Sequence, residues 1–130
     1  MKKLFFAVLA MMFMASPMAN AQNAEIDKMP TFQNGGLQDF ANWVMSKVNY
    51  PKEAEENDIM GRVLVEFVID TDGNVSSVKT LKSPSGILST EAERVIKSSP
   101  KWEAGEHNGQ KVNVRFVIPV VFMKESHIKL

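Results

Sequence analysis

Along residues 111–122 an apolar side chain occupies every second position: Val112, Val114, Phe116, Ile118, Val120 and Phe122. A β-strand turns successive side chains to opposite faces, so a period of two sustained this long specifies a strand with one face in a core. Pro119 lies on the complementary set and adds a second constraint. Lacking an N–H, proline is tolerated in a sheet on a free edge or at a bulge. In an antiparallel strand one residue aims its N–H and C=O at the same neighbour, and the next residue aims both the other way. If Pro119 faces the open side, Asn113, Arg115 and Val117 present their backbone groups there too, and the apolar set pairs inward. Such a row is a template for a further strand unless it is shielded, and Lys111 and Arg115 shield it in part by charge. The residues alone leave two readings open: an edge that is merely tolerated, and an edge kept for an extended peptide.

The rest of the chain supplies partners for that strand. Residues 36–48 read as a helix, because Leu37, Phe40, Ala41, Val44 and Val48 share a stripe of helical period. Pro51 ends it by pushing Tyr50 out of helical geometry, and suits the first turn of a short helix over 51–57. Residues 62–69 alternate again, with Val63, Val65, Phe67 and Ile69 on one face. Asp72-Gly73 suits a tight hairpin, and 75–81 returns as a weaker strand whose Ser76, Ser77 and Lys79 suggest a wet face. Residues 89–98 read as the second principal helix. Thr90 and Glu93 stand at capping-box spacing, Leu88, Ala92, Val95, Ile96 and Ser99 share a face, and Pro100 ends it. Trp102 then precedes a polar connection over 103–110 that contains the turn Asn108-Gly109. This order predicts an α+β domain: an antiparallel three-stranded sheet with two main helices packed on one face.

Residues 1–21 read as a signal peptide. Lys2 and Lys3 precede an unbroken apolar run over 4–14, Ser16-Pro17 breaks it, and Ala19-Asn20-Ala21 fits the small-x-small cleavage pattern. An uncleaved segment that anchors the chain in the inner membrane is the competing reading, although the run falls well short of the roughly 20 residues that span a bilayer as a helix. Residues 22–28 form a short lead-in, 29–123 the domain, and 124–130 a tail. From Gln22 onward 13 basic residues meet 15 acidic ones, dispersed along the chain, so neither nucleic acid nor an anionic membrane surface is indicated as a partner. Cysteine is absent, so the core must hold by packing alone.

No constellation for catalysis stands out. Asp70-x-Asp72-Gly73-Asn74 has glycine fourth rather than sixth and Leu81 where a calcium loop needs its twelfth-position glutamate, so a hairpin turn is the better reading. His107 and His127 lie twenty residues apart with no second ligand at clamp spacing. No serine stands in a nucleophile-elbow context. Glu53, Glu55, Glu56 and Asp58 read as a solvated helix face, and Gly35-Gly36 as a flexible turn into the first helix rather than a phosphate cradle. The expectation is a protein that is not an enzyme, with no metal, no cofactor and no small-molecule substrate. Trp102 is expected to cover the open end of the core; Trp43, off the helical stripe, either flanks the core or joins a contact surface.

One ordered set of residues runs through all these elements. It comprises Pro30-Thr31-Phe32-Gln33-Asn34-Gly35-Gly36, Tyr50-Pro51 with Ala54, Gly61 to Ile69 with the turn at Asp70 to Gly73, Ser83, Ala92, Pro100-Lys101-Trp102, Gly105, Asn108-Gly109, and Val112 to Pro119. In order and spacing, over 29–123, it resembles the C-terminal domain of the TonB family, especially short versions carrying the Pro-x-Phe-x-x-Gly-Gly segment. The resemblance implies the same α+β fold and a non-catalytic periplasmic module that receives the TonB box, a short segment near the N-terminus of outer-membrane transporters, by strand addition. Family members grip that segment with the final strand, aided by residues beside the Tyr-Pro step. The matching positions are Asn49, Tyr50 and Pro51, with Asn113, Arg115 and Val117 on the strand.

The family couples inner-membrane energy to transport, its members carrying an anchor and a Pro-rich spacer that are not seen in this sequence. Ala104 also stands where the family usually has proline, which implies a looser loop. The expectation is therefore an exported stand-alone module that binds transporter peptides or another envelope protein, linked to an ExbB/ExbD-type motor through a further protein. An adaptor, or an assembly module whose edge pairs with its own copy as a homodimer, is the alternative; a small hydrolase is a third class.

Overall fold

A computed structural model of the chain describes residues 26–124. The leader expected over 1–21 and the tail beyond Lys124 lie outside the described residues. Helices α1 (Leu37–Lys47) and α2 (Lys52–Glu56) come first, followed by strands β1 (Gly61–Ile69) and β2 (Val75–Lys82) and helix α3 (Gly86–Lys97). A small hairpin, β3 (Gly105–His107) and β4 (Gln110–Val112), then leads into β5 (Val114–Phe122). The main sheet is antiparallel with the order β2-β1-β5, and the fold is the expected α+β arrangement.

The period-two pattern of β1 explains why it lies at the centre. Val63, Val65, Phe67 and Ile69 are fully buried, and they meet Ile118, Val120 and Phe122 of β5 in one core. Phe40 and Val44 of α1 close that core from above, with Leu88, Ala92, Val95 and Ile96 of α3 beside them. Each large apolar side chain so removed from water contributes roughly 1.5–3 kcal/mol. At the start of α1, where backbone donors have no helical partner, the Asp39 carboxylate accepts the Gly36 N–H at 2.9 Å. Trp102 is buried, as expected for a cover, with ring centroids 4.9 Å from Phe40 and 5.4 Å from Phe32. Trp43 flanks the core, half-buried and stacked on Phe40 at 5.7 Å.

Four local expectations are corrected. Helix α3 begins at Gly86, because the Ser85 hydroxyl caps it by accepting the Ile87 N–H. Thr90 lies inside the helix and donates to the Gly86 carbonyl, while Glu93 accepts a hydrogen bond from Thr80 of β2. The Thr90–Glu93 spacing thus marks a helix-to-sheet tie rather than a helix start. Pro51 is the N-cap of α2, in extended geometry at φ −60° and ψ 133°, rather than a member of its first turn. The glycine turn sits two residues earlier than read. Phe32 and Gly35 exchange both backbone bonds around Gln33 and Asn34, which hold positive φ of 50° and 67°. Residues 111–122 are not one uninterrupted ladder, since the pairing partner changes at Asn113 from β3 to β1.

Two close approaches lock the far end of the sheet. The Asp70 carboxylate accepts the N–H groups of Asp72 and Asn74, each at 2.9 Å, so this acid serves the β1–β2 turn. Gly73 holds φ +84° and its carbonyl accepts the Trp102 N–H at 2.8 Å; a Cβ here would stand 2.0 Å from the Trp102 carbonyl oxygen.

Candidate functional site

Among the described residues strand β5 pairs with β1 alone in the main sheet, which leaves it at the edge. In the register of that ladder Pro119 stands opposite Leu64. Since proline cannot donate, this pair is of the kind that exchanges no backbone bonds, and the pairs in phase with it behave alike. Val117 opposite Glu66 and Val121 opposite Arg62 are in that phase; their N–H and C=O groups point away from β1. The alternate residues Ile118 and Val120 point inward to the ladder and are buried.

The small hairpin keeps the same parity. Asn108 and Gly109 hold φ of 53° and 77°, as a two-residue turn of the hairpin type requires, and His107 pairs with Gln110 across it. Even-numbered positions of β4 thus turn toward β3 and those of β5 toward β1. Asn113 sits half-buried at the junction, and it and Arg115 each make further interactions within the chain. The Arg115 Nε lies 3.6 Å from the Glu66 carboxylate, with both side chains about four-fifths buried. Sequence reading gave Glu66 no role, although its place on the outward parity of β1 was the available signal.

The Tyr-Pro step approaches the opposite end of β5. Tyr50 sets its ring edge-on to Phe122 at 5.8 Å and donates its hydroxyl to the Ile59 carbonyl. Pro51 caps α2, and its carbonyl accepts the Glu55 N–H at 2.9 Å. The Asn49 N–H, just beyond the end of α1, donates at 2.7 Å to Glu91 of α3. Arg115 and Phe122 are seven residues apart on an extended strand, about 23 Å. The six expected positions therefore do not cluster: Asn113, Arg115 and Val117 occupy one half of the edge, and Asn49, Tyr50 and Pro51 flank the end of the other.

Glu91 was not singled out by sequence, because a glutamate on a helix beside an arginine reads as a surface pair. Its carboxylate receives both Arg94 nitrogens, Nε at 2.8 Å and Nη2 at 2.7 Å, besides the Asn49 N–H. The Arg94 hydrogen bonds hold its pKa below the usual carboxylate value; burial works against them and the Asn49 N–H adds to them. A second unread feature is the end of the lead-in. The N–H groups of Asp27 and Lys28 both donate to the Glu106 carbonyl, at 2.9 and 3.1 Å, which fastens this segment along β3. Among the described residues no group of three or more His, Cys, Asp or Glu could hold a metal ion, and no helix is long and apolar enough to cross a membrane.

Comparison with known proteins converges on one family. Residues 46–123 match the family described as Gram-negative bacterial TonB protein C-terminal. The chain is 39% identical over 83 residues to Protein TonB of Helicobacter pylori strain 26695, covering 60% of this chain and 29% of that protein. Against Protein TonB of strain J99 it is 39% identical over 71 residues, covering 54% and 25%. The chain thus spans under a third of the length of these relatives. Two solution structures of the Helicobacter pylori TonB C-terminal domain superpose on it. One has TM-score 0.56 at 30% identity, covering 88% of this chain and 99% of that one. The other has TM-score 0.52 at 34% identity, covering 67% and 91%. The Pseudomonas aeruginosa TonB C-terminal domain follows at TM-score 0.51 and 28% identity, covering 62% and 82%.

Proposed function

The chain belongs to the Gram-negative bacterial TonB protein C-terminal family, and on that premise we propose that it is a periplasmic protein-binding module that takes an extended peptide as an added strand along β5. The peptide is the TonB box of an outer-membrane transporter. The observation that carries this reading is the Leu64–Pro119 register, which turns the backbone of Val117 and Val121 outward on an edge strand. Recognition of this kind draws affinity from main-chain hydrogen bonds and selectivity from alternate side chains. Asn49, Tyr50 and Pro51 would guide the end of the peptide that lies near Phe122, and Asn113, Arg115 and Val117 its other half. Nothing in the event requires bond chemistry, which agrees with a role outside catalysis.

A ladder of this kind resists a pull along the strand as a unit, which suits energy-coupled transport. A link to an ExbB/ExbD-type motor would run through another protein. The reading is tested by fluorescence anisotropy, titrating the protein into labelled synthetic peptides copied from the N-termini of TonB-dependent transporters of the same organism. Saturable binding is expected, lost when proline replaces alternate residues of the peptide. No saturation at about 1 mM protein, which would leave under about 4 kcal/mol of binding, contradicts it. Persistence of a dimer on dilution, by light scattering, together with that absence of binding would instead assign the edge to a second copy of the chain.

A further inference from the structure

Along β1 the residues that alternate with the core set are Arg62, Leu64, Glu66 and Val68. Residues opposite one another in a ladder share a face, so Val121, Pro119, Val117 and Arg115 of β5 lie beside them in turn. From β2, Lys82 lies beside Leu64 and Lys79 beside Glu66. This is the face of the sheet away from α1 and α3. Toward β5 it is apolar and open: Val117 and Val121 are 38% and 39% exposed. Toward β2 it is cationic, with Lys79 and Lys82 exposed, and Arg62 of β1, also exposed, stands beside Val121. Its one carboxylate, Glu66, is engaged with Arg115. Among the described residues four cations and one anion share this face, on a chain whose formal net charge is zero.

That distribution narrows the occupant. Two copies set face to face would bring like charges together, which costs affinity. The apolar band consists of exposed Val117, Pro119 and Val121 with half-buried Leu64 beside them, and it lacks the aromatic side chains by which interfacial segments enter a bilayer. Charge complementarity selects a folded protein surface with an apolar centre and a rim of carboxylates. Val117, Pro119 and Val121 belong to this face and to the edge at once, so whatever donates a strand to β5 carries its neighbouring structure toward it.

We propose that the helix-free face is a second docking surface, occupied by a carboxylate-rimmed apolar surface of the same protein whose peptide adds to β5. The proposal rests on the strand-addition reading and goes beyond it. An added strand would lie three strand spacings from β2, about 14 Å. Lys79 and Lys82 are therefore touched by the partner's folded body and not by its peptide.

The test compares two ligands on the same protein: the TonB-box peptide alone, and the whole purified transporter in detergent, from about 50 to about 500 mM NaCl to span strong and weak screening. The variant is Lys79→Glu/Lys82→Glu, with Arg62→Glu on the neighbouring strand as an independent second variant should the pair disturb β2. Peptide affinity is expected to stay within about twofold of wild type, while transporter affinity falls about tenfold at low salt and the gap closes at high salt. Unchanged transporter affinity in both variants overturns the docking surface and leaves the edge reading standing. Failure of wild type to bind either ligand overturns both. Binding of wild type but not the variants to vesicles of anionic phospholipid, with transporter affinity unaltered, assigns the face to a bilayer and also overturns the proposal.

Discussion

Leu64 of β1 stands directly opposite Pro119 of β5 in the central ladder of the sheet. The pairing fixes a phase for the whole strand, because a proline is accommodated without loss only where the ladder asks for no donor. Every second residue from Pro119 then turns its backbone away from β1. A different phase would have cost the sheet a bond at Pro119 and turned Ile118, which is buried, out of the core.

Proline scanning of β5 should reveal that phase. Val117→Pro removes an outward donor and is expected to cost about 1 kcal/mol or less of stability by urea unfolding. It should nevertheless weaken peptide binding at least tenfold, about 1.4 kcal/mol. Ile118→Pro removes a donor to β1 and should destabilise by about 3 kcal/mol or more. Equal losses of stability in the two variants would contradict the assigned phase.

Gly73→Ala is expected to be among the more damaging single-methyl changes in the chain. The residue holds φ +84°, and the added carbon would meet the Trp102 carbonyl oxygen at 2.0 Å. Relief requires the turn to separate from Trp102, which loosens the aromatic cluster. A loss of about 3 kcal/mol by thermal or urea unfolding is predicted.

Gln33 supplies the opposite case. It holds φ +50° with an ordinary side chain, in the turn that closes Phe32 onto Gly35. The left-handed conformation costs a residue with a Cβ about 1–2 kcal/mol, and glycine's greater unfolded entropy returns about half of that. Gln33→Gly should therefore stabilise by about 0.5 kcal/mol, seen as a higher Tm.

Glu91→Gln tests the tie between α3 and the Tyr-Pro step. The folded pKa of Glu91 is lowered, chiefly by Arg94, from its ordinary value of 4.5. A lowered carboxylate contributes stability that is fully present above the unfolded pKa and disappears as pH falls through the folded one. Wild type should thus exceed the variant by about 1 kcal/mol at neutral pH. The two should converge in acid, below pH 4.5. A gap independent of pH would show that the charge of Glu91 is not what stabilises the contact.

How much of this was legible in the sequence follows the physics of each signal. The alternation at Val63 to Ile69 and at Val114 to Phe122 is a property of strand geometry, and both strands, their buried faces and the helix stripe through Phe40 and Val44 could be read directly. Helix starts were less legible, since Ser85 and Thr90 offer similar hydroxyls and only the tertiary partner of Glu93 separates them. The β3–β4 hairpin escaped because its three-residue strands are too short to show a period, although Asn108-Gly109 marked its turn. Within the candidate site, the phase of Val117 was readable from Pro119, whereas Asn113 lies in neither ladder. The contacts of Asn49 with Glu91, 42 residues away, and of Tyr50 with Phe122 exist only once the chain has folded.

The most direct test of the edge is residue-resolved amide hydrogen exchange on 15N-labelled protein, with and without saturating TonB-box peptide. The Val117 and Val121 amides are expected to exchange markedly more slowly when peptide is bound, while Ile118 and Val120, already paired with β1, change little. Unaltered exchange at Val117 and Val121 under saturation would contradict strand addition along β5.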